Sequence, residues 1–192
     1  MANNLLYAQN KIKLVNKCLE AIGEMPLEDD TLTEDITPGT DAYVALNSIN
    51  DATLEVLNEG WMFNTDKKIK FIPDLNGKIG IPSNILNIDG GNYNRKGDLV
   101  IKNGQLYSIY NKSFEFDKPV YLDVVWFVDY DNMPINVFNY IGAKASNRFQ
   151  SKIIGDKNMY QVLAQEEAEW RMKVEQEEFR NQDYSLVINK YR

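Results

Sequence analysis

The sequence contains no histidine and a single cysteine, Cys18. Without histidine there is no serine–histidine or cysteine–histidine nucleophile pair, no HExxH zinc helix and no imidazole general base. One cysteine excludes an internal disulfide framework and every multi-cysteine zinc site. Cys18 also falls among apolar residues of an expected helix, where a buried thiol is a simpler reading than a nucleophile. Long apolar runs are missing too, since none approaches the ~20 residues of a bilayer span. The opening Met1-Ala2-Asn3-Asn4-Leu5-Leu6 lacks the basic flank and long apolar core of a secretory signal. Basic excess is absent as well. A net charge of −7 argues against a grip on nucleic acid, which draws on clustered Lys and Arg. Acidic walls can still surround a duplex and let it slide, because they repel phosphate. Any catalysis would rest on carboxylates, lysine or tyrosine. The expectation is therefore a protein that is not an enzyme, with no catalytic, metal or cofactor-binding residues and no cofactor.

What is present describes a globular chain. Its 192 residues are 44% hydrophobic and 26% charged, enough for one ordinary core or two small lobes. Between about residues 5 and 23, Leu14, Val15, Cys18, Leu19 and Ile22 recur at helical spacing, with Lys11, Lys13, Lys17 and Glu20 off the stripe. Gly23 follows as a C-cap and Pro26 prevents continuation. Residues 27 to 40 form an acidic, Thr-rich connection that lacks the spacing and central glycine of an EF-hand, so a solvated loop is expected. A second helix starts near Thr40 or Asp41, buries Ala42, Ala45, Leu46, Ile49, Thr53, Val56 and Leu57, and ends at Gly60.

After Gly60 the period changes from about 3.6 to 2. Trp61 and Phe63 fall at alternate positions, as if facing one side of a strand, and are expected to staple a sheet lobe onto the helices. Strand candidates are Lys68–Pro73, Lys78–Ile81, Ile88–Asp89, Asp98–Lys102, Gln105–Tyr110 and Pro119–Val128, separated by turn residues. Asn103-Gly104 is the clearest hairpin signal, a two-residue turn that needs positive φ. Helical spacing resumes after Met133-Pro134 with Val137, Phe138, Ile141, Ala145 and Phe149. Asp129 and Asp131 read as a capped entry to this helix, in preference to a cation site or acid/base pair. Gly155-Asp156 breaks the chain, and a charged helix follows from about Lys157 to Gln182. Its thin apolar stripe is Met159, Leu163, Trp170 and Val174, with i,i+4 pairs such as Glu167–Arg171 and Glu169–Lys173 adding ~0.3 kcal/mol each. The fold class is α+β, a four-helix lobe (1–60 and 131–183) with an antiparallel sheet or sandwich (61–130) inserted between helices 2 and 3, and a tail over 184–192.

Several blocks together carry a resemblance. They are Ala21-Ile22-Gly23-Glu24 with Pro26, and Leu46-Asn47-Ser48-Ile49-Asn50 leading to Gly60-Trp61-Met62-Phe63-Asn64. Asp129-Tyr130-Asp131-Asn132-Met133-Pro134, Lys144-Ala145-Ser146 with Arg148-Phe149, and Val162-Leu163-Ala164-Gln165-Glu166-Glu167 complete the set. In this order and spacing the chain, over about residues 10 to 185, resembles the tail tubular protein A family of T7-like short-tailed bacteriophages. The resemblance implies a structural virion protein of the tail, assembled in the host cytoplasm. It would form a dodecameric adaptor ring between the portal protein and the tail nozzle protein, as part of the DNA-ejection channel. The helical lobe would build the ring, the β lobe would reach toward nozzle and tail fibres, and genome DNA would pass without specific binding. No membrane partner is implied.

Within that frame Gly23, Gly60, Trp61, Phe63, Asp131 and Pro134 are candidate lobe-junction residues. The apolar tail with Leu186, Val187, Ile188 and Tyr191 is the candidate portal contact, by strand addition to an exposed edge. The alternative function is a virion-associated, carboxylate-dependent glycan hydrolase, for which no carboxylate pair stands out.

Overall fold

The computed structural model describes residues 11–28, 31–90 and 98–190, with side-chain detail as far as Arg180. Among the described residues there are four α-helices and five strands: α1 (Lys11–Glu20), α2 (Asp41–Asn58), β1 (Thr65–Phe71), β2 (Ile85–Asp89), β3 (Leu99–Lys102), β4 (Gln105–Ser108), β5 (Val120–Trp126), α3 (Ile135–Ile153) and α4 (Lys157–Lys190). The fold is α+β, with an antiparallel sheet between the second and third helices. The chain divides into two compact units, Met1–Val56 with Asp129–Arg192, and Leu57–Val128.

The helical unit is organised by α3. One side of α3 receives α1, and α4 packs along another. Ile12, Leu14, Val15, Cys18 and Leu19 of α1 are buried, as are Val137, Phe138, Ile141, Ala145 and Phe149 of α3. Helix α1 comes unusually close at Gly142. A Cβ there would lie 2.9 Å from Leu14 Cδ2 and 3.3 Å from Lys17 Cδ. A glycine inside a helix costs roughly 1 kcal/mol relative to alanine; here it lets two backbones approach.

Helix α1 ends as its sequence demands. Gly23 has φ +78°, its N–H donates to Glu20 O at 3.0 Å, and Glu24 N–H donates to Leu19 O at 3.0 Å. That pair of bonds is a Schellman closure, which needs a left-handed residue where Gly23 stands. Thr40 caps α2 as expected, its Oγ1 accepting the Tyr43 N–H at 3.3 Å. The acidic connection before it is bracketed by Asn16, whose amide exchanges two hydrogen bonds with the backbone of Leu27, at 2.9 and 2.7 Å.

In the β unit β5 is the central strand, pairing antiparallel with β1 on one side and β2 on the other. Strands β3 and β4 form a separate hairpin in which Lys102 pairs with Gln105. Asn103 (φ 52°) and Gly104 (φ 69°) both occupy the left-handed region that the two-residue turn requires. Ile79, Ile81, Ile85, Leu106, Val120, Leu122 and Val124 form the core of this unit.

Four expectations are corrected. Lys78–Ile81 is not a strand; Lys78 and Gly80 make isolated bridges to Glu115 and Gln105. Trp61 and Phe63 do not alternate along a strand, because Met62–Asn64 is a 3₁₀ turn that directs the buried Trp61 and the half-buried Phe63 by a different geometry. The Asn64 side chain captures the Trp61 N–H and closes that turn. Asp129 and Asp131 do not cap α3: Asp131 lies in a 3₁₀ turn, Tyr130–Asn132, and the residue at the N-cap of α3 is Pro134, without a side-chain cap. Proline has a fixed φ compatible with a helix start, and its carbonyl accepts the Phe138 N–H at 3.0 Å. Finally, the last helix does not stop near Gln182 but continues to Lys190. No Gly or Pro occurs after Gly155, and extending an existing helix costs far less than nucleating a new element. Leu186, Val187 and Ile188 therefore have helical backbone in place of the expected strand, while Tyr191 lies outside the described residues.

Candidate assembly surface

Helix α4 packs along α3 yet buries few of its described side chains. Asp156 starts it, with Oδ1 accepting the N–H groups of Asn158 and Met159, both at 2.8 Å. Gly155, at φ +69°, ends α3 one residue earlier, donating to Gln150 O at 2.9 Å. The two helices thus meet at a tight corner. From there α4 runs 34 residues, about 51 Å at 1.5 Å per residue. Among its described side chains only Leu163 and Val174 are buried, and Trp170 between them is half-buried. Met159, expected on the same stripe, is 41% exposed. Met172 and Phe179, one heptad apart, are also exposed and share the face turned away from Leu163 and Val174.

Polar contacts substitute for apolar ones along the inner face. Lys17 of α1 meets Glu166 at 2.6 Å, and Trp170 Nε1 donates to the same carboxylate at 3.3 Å. Asn147 of α3 donates to Glu167 at 2.9 Å, with Lys144 Nζ 3.9 Å from that residue. Asn136 donates to Glu177 at 2.9 Å, and Arg171 donates to Tyr140 Oη at 3.0 Å while pairing with Glu175 at 2.9 Å. The Lys173 ammonium lies 3.7 Å from the Trp170 ring centroid. Each such pair is partly exposed and worth little alone. Those from Lys17, Asn136, Tyr140, Lys144 and Asn147 reach α4 from α1 and α3 and favour one face of it.

On the α2 side of α3, Arg148 Nη2 donates to both carboxylate oxygens of Glu55, at 2.7 and 2.8 Å, and Lys144 lies 3.6 Å from the same group. Burial alone would raise the Glu55 carboxyl, but the hydrogen bond and charge of Arg148, with Lys144, hold it below the ordinary glutamate value. Lys144, Asn147, Arg148, Ser151, Tyr160 and Glu167 line a shallow polar recess here. A second recess is bounded by the ends of α1 and α3 and the start of α4, where Ile22, Ile154 and Met159 meet Glu20 and Asp156.

Among the described residues no three His, Cys, Asp or Glu side chains converge in a way that could hold a metal ion. Burial pushes the Cys18 thiol up to about 12, against the opposing effects of a Ser146 hydroxyl 3.7 Å away and of Lys17, so it is protonated at neutral pH. Among the described residues no helix is long and apolar enough to cross a membrane.

Comparison with known proteins gives these features a context. A family model described as "Tail tubular protein" matches residues 12–184. The chain belongs to the tail tubular protein family. It is 26% identical over 182 residues to the tail tubular protein A of Klebsiella phage KP34, a match covering 94% of this chain and 93% of that one. Family membership makes the chain a structural component of a bacteriophage tail. Two of the blocks that carried the resemblance now have physical content. Ala21 to Glu24 is the Schellman closure, and Lys144 with Arg148 holds α2 against α3.

The candidate junction residues are scattered in role. Gly23 closes α1. Gly60, at φ +78°, ends α2, and a Cβ there would sit 3.2 Å from Val125 Cγ2. Trp61 is buried in the β unit. Sequence reasoning missed Asn64, which is 2% exposed. Its Oδ1 accepts the Trp61 N–H, and its Nδ2 donates to Leu57 O and Trp126 O, all at 2.9 Å. No local pattern announces that role, because Trp126 is far along the chain. Gly142 was also missed, although a lone glycine inside a helical stretch is itself a signal of close packing.

Proposed function

We propose that this protein forms the ring that joins the portal to the tail nozzle and surrounds the DNA-ejection path. The observation that carries the reading is α4, a helix about 51 Å long whose described side chains include only two that are buried. A helix with so thin an inner seam and charged flanks suits a position between neighbouring copies of one subunit. The copies would number twelve to match the portal. The portal-facing candidate is the terminal segment with Leu186, Val187, Ile188 and Tyr191, the first three on a helical backbone; the β unit would face nozzle and fibres. The net charge of −7 suits a lumen that repels phosphate and lets the duplex pass. Assembly would take place in the host cytoplasm.

Mass measurement tests the reading. The purified chain is weighed in its native state alone and mixed with the portal protein. A complex with twelve copies per portal ring is expected, and a chain that remains unbound in the mixture refutes the adaptor role.

A further inference from the structure

The β unit carries an apolar side chain with open solvent around it. Leu75 is fully exposed (105%), and Ile72 beside it is 67% exposed. The turn that presents them is firmly built. Asp74 Oδ1 accepts the N–H groups of Asn76 and Lys78 at 2.8 Å, Asp74 N–H donates to Lys78 O at 2.8 Å, and Gly77 N–H donates to Asp74 O at 3.0 Å. A lone exposed leucine on a surface needs no explanation. One fixed at the tip of a turn with four internal hydrogen bonds is preorganised and loses little freedom on docking. Lys70 and Lys78, both exposed, flank it in sequence, while the neighbouring Asp74 carboxylate is engaged by the N–H groups of its own turn.

The helical unit has a recess of matching character. Its space of about 350 Å³ has an apolar lining of Ile22, Ile154 and Met159, and Glu20 and Asp156 stand at its rim. The carbonyl ends of α1 and α3 both terminate there and add partial negative charge. Gln150, another lining residue, is 1% exposed, and its Oε1 accepts no hydrogen bond within the described chain.

We propose that Leu75 of one copy seats in this recess of a neighbouring copy, with Lys70 and Lys78 facing Glu20 and Asp156. Apolar tip meets apolar lining, and basic flank meets acidic rim. Tip and recess are different parts of one chain, so the contact is heterologous and repeats head to tail. The inference rests on the ring reading above and supplies one of its contacts.

The test uses phage particles whose supply of this protein is a variant carrying both Leu75→Cys and Met159→Cys. Cys18 is buried and protonated, so it does not compete for a thiol reagent. Particles are treated with a short bis-maleimide and run on a denaturing gel. A ladder of multiples of the chain mass is expected from the double variant and none from either single variant. A double variant that assembles without a ladder overturns the contact. So does a ladder from Leu75→Cys alone, which would join two tips, or a cross-link from position 159 to a different tail protein. Amine cross-linking of unmodified particles separates the two levels. Multimers there without the cysteine ladder sink only this contact, whereas no multimers at all sinks the ring reading with it. As a second variant, Leu75→Asp should melt like the unmodified protein yet enter particles about tenfold less or worse; entry at the unmodified level overturns the proposal.

Discussion

Arg148 of α3 holds Glu55 of α2 through one nitrogen shared between both carboxylate oxygens, at 2.7 and 2.8 Å. Glu55 has its pKa lowered, so the pair contributes stability above the ordinary glutamate range and loses it as pH falls through the depressed value. Urea unfolding should show stability declining from about pH 5 downward, with a shallower decline in Glu55→Gln. An equally steep decline in that variant would count against the assignment. Because Glu55 is half-exposed, Arg148→Ala should cost only about 0.5–1 kcal/mol at neutral pH.

Cys18 should resist alkylation in the native state. At mildly alkaline pH a maleimide should label it only in denaturant, since the thiol is buried and pushed up to about 12. Rapid native labelling would mean that α1 detaches from α3.

Tyr130 and Thr53 provide an asymmetric test. Thr53 Oγ1 donates to Ile49 O at 2.7 Å, which leaves its oxygen to accept the Tyr130 hydroxyl at 2.8 Å. Tyr130→Phe removes one bond and leaves Thr53 satisfied, at a cost of about 1 kcal/mol. Thr53→Val strands the Tyr130 hydroxyl, which burial already keeps protonated above its ordinary pKa, and should cost more, roughly 1–3 kcal/mol. Thermal melts of the two variants decide the order.

Asn64→Ala removes the hydrogen bonds that Asn64 makes to Leu57 O, Trp126 O and the Trp61 N–H and should destabilise the β unit by roughly 2–4 kcal/mol. Hydrogen exchange at the Trp61 amide should accelerate accordingly. Unchanged protection there would remove Asn64 from its proposed role.

Gly142→Val should weaken the docking of α1 by roughly 1–3 kcal/mol, because Leu14 is itself buried and has little room to yield. The same substitution at exposed Gly80, where a Cβ meets nothing within 4 Å, is the control.

Features that depend on a few adjacent residues were legible in the sequence. Asn103-Gly104 needs positive φ at both positions, and Gly23 must close α1, so each could be read without knowing the fold. The helical stripes of α1, α2 and α3 were equally plain. Where a distant group decided the outcome, reading failed. Trp61 and Phe63 alternate like strand residues, but the Asn64 side chain, held by Trp126 O, winds that segment into a turn. The tail after Gln182 is β-prone by composition, yet it follows a helix with nothing to stop it. The salt-bridge residues Lys144 and Arg148 were visible as a block, while their partner Glu55 was not, because pairing across helices leaves no local trace.

Asn64 also has a consequence for how this chain can be rearranged. Its single amide joins Leu57, the first residue of the β unit, to Trp126, near its end, and Thr65 pairs directly with Val125. The chain therefore enters and leaves the unit through a doorway one strand spacing wide, ~5 Å. To the helices, the whole β unit is topologically no more demanding than a short loop. Grafts between related tails that cut at Asn64 and Trp126 should keep the exchanged β unit closed only where the Asn64 clasp is kept.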